Sequence, residues 1–148
     1  MRPEVDQILM ITAGQVATEL MPNLSAQYMQ GMAQLAALMA VLSAQEYDRA
    51  ADVRASENRE MRALFAELGP LVSDAALKAK LEEAAVKEDA SLRVSALNDA
   101  NYALRELLIA LHEHVENANG DSARAAERRI WTLLKAFADR RRLYLPPS

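Results

Sequence analysis

Apolar positions recur at three- and four-residue intervals along almost the whole chain, and no segment alternates like a strand over five residues. The first run carries Val5, Ile8/Leu9, Thr12, Val16 and Leu20. It predicts a helix from Pro3, a residue tolerated in a first turn, to Pro22. The second run puts Leu24, Tyr28, Met32, Leu35, Met39 and Leu42 on one side of a helix, with Ala33, Ala37, Ala40 and Ala44 in a line beside them. From Glu46 to Leu68 the pattern stays helical, anchored by Val53, Met61, Leu64, Phe65 and Leu68. No Gly or Pro falls between Ala33 and Glu67, so this helix either runs on or breaks softly near Ser56, and Gly69-Pro70 stops it.

Ser73 is the expected N-cap of a helix with the stripe Leu77, Leu81, Ala84/Ala85 and Glu88. A helix starting near Ser91 has the cleanest stripe: Leu97, Asn101, Leu104, Leu108, Leu111 and Val115. Asn119-Gly120 closes it, and Asp121-Ser122 cap a last helix buried through Ala126, Ile130, Leu133/Leu134 and Phe137. The expected fold is all-α, an up-and-down helical bundle of four main helices plus one or two additional short helices, in a single domain over residues 1–148.

Composition narrows the chemistry. The 148 residues contain no cysteine, which removes disulfide scaffolds, cysteine zinc sites and thiol catalysis. With only 4 glycines and no Gly-x-Ser-x-Gly, phosphate-loop or dinucleotide motif, little backbone is suited to wrapping a phosphate. Between Gln7 and Gln45 the only charged residue is Glu19, but Pro22 and several glutamines interrupt the run. A membrane span is therefore not expected. The opening Met1-Arg2-Pro3-Glu4-Val5-Asp6 lacks the basic flank and long apolar stretch of a secretory signal, which leaves the cytoplasm as the expected compartment.

A helical bundle raises the question of a di-iron centre, which requires Glu-x-x-His on two helices. Neither His112 nor His114 sits in that motif. The two lie about 200° apart around their helix and cannot share a metal. Both read as surface or boundary residues, so no metal and no cofactor is expected. Glu19 is the most unusual ionisable group, placed on an apolar face where Tyr28 could approach it. This pair is the candidate ligand-binding handle, against a structural reading in which Glu19 sits half exposed at the bundle end. Asn101, inside an apolar stripe, is expected to fix helix register. The small residues Ala33, Ala37 and Ala40 suggest a close helix seam, within the bundle or across a dimer.

The chain changes sign near its end. Residues 121–148 hold seven basic and three acidic side chains, for +4, so the remaining 120 residues carry -8 within a total of -4. Arg128, Trp131 and Lys135 share one side of the last helix, a candidate docking surface. Nucleic-acid binding by this basic helix ranks third, because the chain as a whole is acidic.

Arg2-Pro3, the Leu9 region, Glu19-Leu20-Met21-Pro22, Leu24, Tyr28 and the Ala/Leu-rich helix ending near Glu46 resemble a family of small bacterial all-helical domains of unknown function. Such domains are often encoded beside, or fused to, aminoglycoside-phosphotransferase-like and acyl-CoA-dehydrogenase-like proteins. The resemblance covers about residues 1 to 68 and offers no catalytic residue to carry over. It implies an accessory role near that chemistry. The leading expectation is thus a non-catalytic helical interaction module that forms a homodimer or docks on an enzyme partner. The alternative is a bundle that binds a small ligand or acyl group, with Glu19 as its polar group and the possibility of catalysis.

Overall fold

The structure, a computed structural model, describes residues 3–145 and contains five α-helices and no strand among them. In chain order these are α1 (Val5–Gln15), α2 (Gln27–Leu68), α3 (Ala75–Ala85), α4 (Val94–Glu116) and α5 (Asp121–Arg140). The all-α class and the bundle follow the periodicity. Residues 3–50 with 142–145 form one compact unit, and Ala51–Arg141 form a second. The division falls inside α2, where no loop, glycine or proline marks it, so composition carries no trace of it.

In the first unit, α1 ends earlier than Pro22. That residue has no N–H to offer the preceding turn. The chain leaves the α-helix through a π turn at Val16–Leu20 and a 3-10 turn at Met21–Asn23. Two side chains bond back to carbonyls across the exit: Thr18 Oγ1 donates to Gly14 at 2.9 Å and Asn23 Nδ2 to Glu19 at 2.6 Å. The C-terminal segment is tied to α2 by a two-way amide bond, in which Gln45 Nε2 donates to the Tyr144 carbonyl at 2.7 Å and Gln45 Oε1 accepts from the Tyr144 N–H at 2.9 Å.

The buried residues described in this unit are all alanines: Ala13, Ala33, Ala44 and Ala50. This overturns the expected burial of the large apolar stripes. Val5, Ile8 and Leu20 are exposed, as are Tyr28, Met32, Leu35 and Met39 on α2. The small-residue line of α2 faces inward and the large one outward.

The second unit has the conventional core. Met61, Leu64, Phe65 and Leu68 of α2 pack with Leu81 and Ala84 of α3, with Leu104, Leu108, Leu111 and Val115 of α4, and with Ala126, Ile130 and Phe137 of α5. Salt bridges running Glu57–Arg141, Glu60–Arg140 and Glu67–Arg129 set α2 antiparallel to α5. Arg54–Asn98 and Glu57–Asn101 contacts set α2 parallel to α4, giving the expected up-and-down order.

Helix ends differ from expectation by a residue or more. The N-cap of α3 is Asp74, not Ser73, and its carboxylate accepts from Ala76 N at 2.8 Å and Leu77 N at 3.0 Å. These amide bonds hold the Asp74 carboxyl below its usual range. α3 stops at Ala85, leaving Glu88 exposed beyond it. α4 begins at Val94, and Ser91 instead accepts from Arg93 N in the preceding turn. Gly120 precedes α5 at φ 109°, a conformation that disfavours any residue with a Cβ.

Leu111 is fully buried and Ile109, two residues away, is 68% exposed. In urea unfolding, Leu111→Ala is expected to cost about 2–5 kcal/mol, whereas Ile109→Ala should stay within about 0.5 kcal/mol of the parent.

Candidate functional site

The most concentrated polar chemistry lies inside the second unit. Glu57 and Asn58 on α2 are fully buried, and Asn101 on α4 is nearly so. Glu57 follows Val53 and precedes Met61 and Phe65 at four-residue spacing, so it occupies the core stripe itself. An isolated ionised carboxylate there would be prohibitively costly. Two arginines neutralise it. Arg141, at the end of α5, makes a fork with Nε to Oε1 at 2.7 Å and Nη2 to Oε2 at 2.6 Å. Arg105 of α4 donates from Nη2 to Oε2 at 3.0 Å, and Asn101 Nδ2 adds a bond to the same oxygen at 3.1 Å.

These bonds close on one another. Asn101 Nδ2 also donates to Asn58 Oδ1 at 2.9 Å, and its Oδ1 accepts from Arg105 Nε at 2.8 Å and Arg141 Nη2 at 3.3 Å. Asn58 Nδ2 donates to the Leu97 carbonyl and to Asp89, which in turn pairs with Arg62 at 2.7 Å. Arg105 and Arg140 guanidinium groups lie over the Phe137 ring at 5.4 and 5.9 Å, so the apolar core continues directly from the polar one.

Burial pushes the Glu57 carboxyl pKa up, but hydrogen bonds and positive charge from Arg141 and Arg105 outweigh it, and the net shift is downward from 4.5. An ionised carboxylate offers about four acceptor positions. Four donors converge on Glu57, which leaves no position for a substrate proton. This cluster is therefore a clamp between α2, α4 and α5 rather than an acid–base site. From its place in the α4 stripe, Asn101 bonds across to Glu57 and Asn58 of α2. The sequence reading missed Glu57, although the same signal, a polar residue in an apolar stripe, was present.

The other candidates do not converge. Glu19 is exposed in the π turn and Tyr28 is 75% exposed, so neither is a desolvated handle. Ala33 is buried, and Ala37 and Ala40 half-buried, by the chain itself. Arg128, Trp131 and Lys135 are all exposed on α5. Most of the basic surplus near the end is engaged internally. Arg129 forks onto Glu67, Arg140 onto Glu60 and Arg141 onto Glu57, while Lys135 reaches Asp139 at 2.8 Å. The Arg129 fork draws the Glu67 carboxyl pKa down and raises that of Arg129. His114 accepts from the Ser73 N–H at 3.3 Å beside a cleft of about 200 Å³ lined by Leu68, Val72, Val115 and Ala126.

Among the described residues no helix is long and apolar enough to cross a membrane. No family model, no curated protein and no solved structure matches this chain.

Because the Glu57 pKa is depressed on folding, its contribution to stability is complete above the unfolded-state value and is lost as pH falls through 4.5 towards the folded value. Glu57→Gln should therefore lower stability at pH 7 and flatten the acid limb of a urea-midpoint profile. Removing Arg141 strands a buried carboxylate on one remaining arginine. With Arg141 itself 40% exposed, the expected cost is at the lower end, about 3 kcal/mol.

Proposed function

We propose that this chain is a non-catalytic helical interaction module that self-associates through the outward face of α2. One observation carries the reading. Tyr28, Met32, Leu35, Met39 and Leu42 follow one another at intervals of four, three, four and three residues, the repeat of a coiled-coil seam. The first four of them are exposed and Leu42 is half-buried. Monomeric proteins rarely leave so continuous an apolar line in water.

The occupant that fits this face best is a second copy of the chain. A seam without charge has no sign to complement, and an isologous contact places identical apolar rows against each other. The all-alanine interior of the first unit points the same way. Alanine buries little apolar area, and association would supply what that interior lacks. The resemblance to small bacterial accessory domains suggests that the dimer serves an enzyme of phosphotransferase or acyl-CoA chemistry in the cytoplasm. Trp131, 55% exposed beside Arg128, supports a second, partner-facing surface on α5.

Size-exclusion chromatography with light scattering should give twice the 16.3 kDa chain mass at micromolar concentration. Met32→Glu with Met39→Glu should give the monomer mass with helical circular dichroism retained. A strict monomer for the parent chain at hundreds of micromolar overturns the proposal.

A further inference from the structure

On α4, His112 and Glu116 are one turn apart, and Glu127 of α5 faces them across the helix pair. One ligand atom from each of the three lies within 4.8 Å of the other two. All three belong to the second unit. Two of the three groups are short of partners; the third, Glu116, is 55% exposed and approaches only His112. The His112 Nε2 atom is buried and accepts or donates no hydrogen bond, although it lies 3.4 Å from Glu116 Oε1. Glu127 is half-buried and has no hydrogen-bond or ion-pair partner among the described residues. A buried polar atom left in this state costs free energy unless something outside the chain satisfies it.

We propose that His112, Glu116 and Glu127 form a binding site for a first-row divalent transition-metal ion, with Zn²⁺ the best match. One imidazole nitrogen and two carboxylates are a borderline donor set, suited to these ions rather than to Mg²⁺ or Ca²⁺, which take oxygen ligands alone. In a tetrahedral site with bonds near 2.1 Å, neighbouring ligand atoms stand roughly 3.4 Å apart. His112 Nε2 and Glu116 Oε1 are already at that separation. Glu127 offers a carboxylate oxygen within 4.8 Å of both on the third side, and the fourth position is left for water. The His112 ring packs T-shaped against Trp131, whose ring centroid lies 5.4 Å away at an interplanar angle of 84°. His114 takes no part, because its Nε2 accepts from Ser73.

Trp131 is the only tryptophan, so its fluorescence reports on the site directly. Tag-free full-length protein is titrated with Co²⁺, a quencher, and then with Zn²⁺ as competitor. The expected result is saturable quenching at one ion per chain, reversed by Zn²⁺, and a melting temperature raised by Zn²⁺. His112→Gln and Glu127→Gln should each weaken binding at least about tenfold, the scale known for the outer partners of metal ligands and a lower bound for ligands themselves. His114→Gln should bind as the parent does. Glu127→Gln leaves the His112–Trp131 contact in place, so its effect separates ion binding from ring packing. Quenching that never saturates overturns the proposal, as does saturable binding as strong as the parent's in both His112→Gln and Glu127→Gln.

Discussion

The second unit depends on keeping Glu57 ionised where water does not reach it. A fully buried carboxylate is tolerable only with several donors converging on it, and here they come from two other helices. Arg141 must arrive at the end of α5 and Arg105 near the middle of α4, so the relative heights of three helices are set together. A slip of one helix by a residue would leave charges unpaired in the core. Apolar residues at the neighbouring positions would tolerate such a slip far better. The clamp supplies specificity of register at a desolvation cost that the surrounding Leu and Phe packing offsets.

The same helices carry a ladder of ion pairs outward from that point. Glu57, Glu60 and Glu67 of α2 face Arg141, Arg140 and Arg129 of α5. The division of charge between an acidic chain and a basic last segment is thereby largely cancelled inside the unit. The outer pairs are partly exposed and contribute little each. Their larger consequence is electrostatic: Arg129, Arg140 and Arg141 are held by carboxylates of α2. Two features of the described surface stand outside these pairs: the apolar face of α2 and the close approach of His112, Glu116 and Glu127 on α4 and α5.

Much of the bundle was legible in advance. The α4 stripe from Leu97 to Val115 is buried residue for residue, and α5 is buried through Ala126, Ile130 and Phe137. Both helices have strongly one-sided sequences, so only one rotation about the axis buries the apolar face. α1 and the first half of α2 are apolar on several sides, and there periodicity does not choose a face. The stripe with the larger side chains read as core, yet the alanine row is the one covered. Ser73 and Asp74 are both good caps, and their order in the chain could not say which would turn its oxygen onto the amides.

The sequence by itself determined the helical class, the stop at Gly69-Pro70, and the core-facing stripes of the last two helices. Those features rest on local periodicity and backbone sterics, which act within a few residues. Tertiary structure alone decided that Glu57, Asn101, Arg105 and Arg141 meet at one point, and that Glu127 faces the His112–Glu116 pair. Glu57, Asn101 and Arg141 of the clamp are 40 to 84 residues apart, and Glu127 lies on a different helix from His112 and Glu116. Only the packing of one helix against another brings them within hydrogen-bonding or ligand distance.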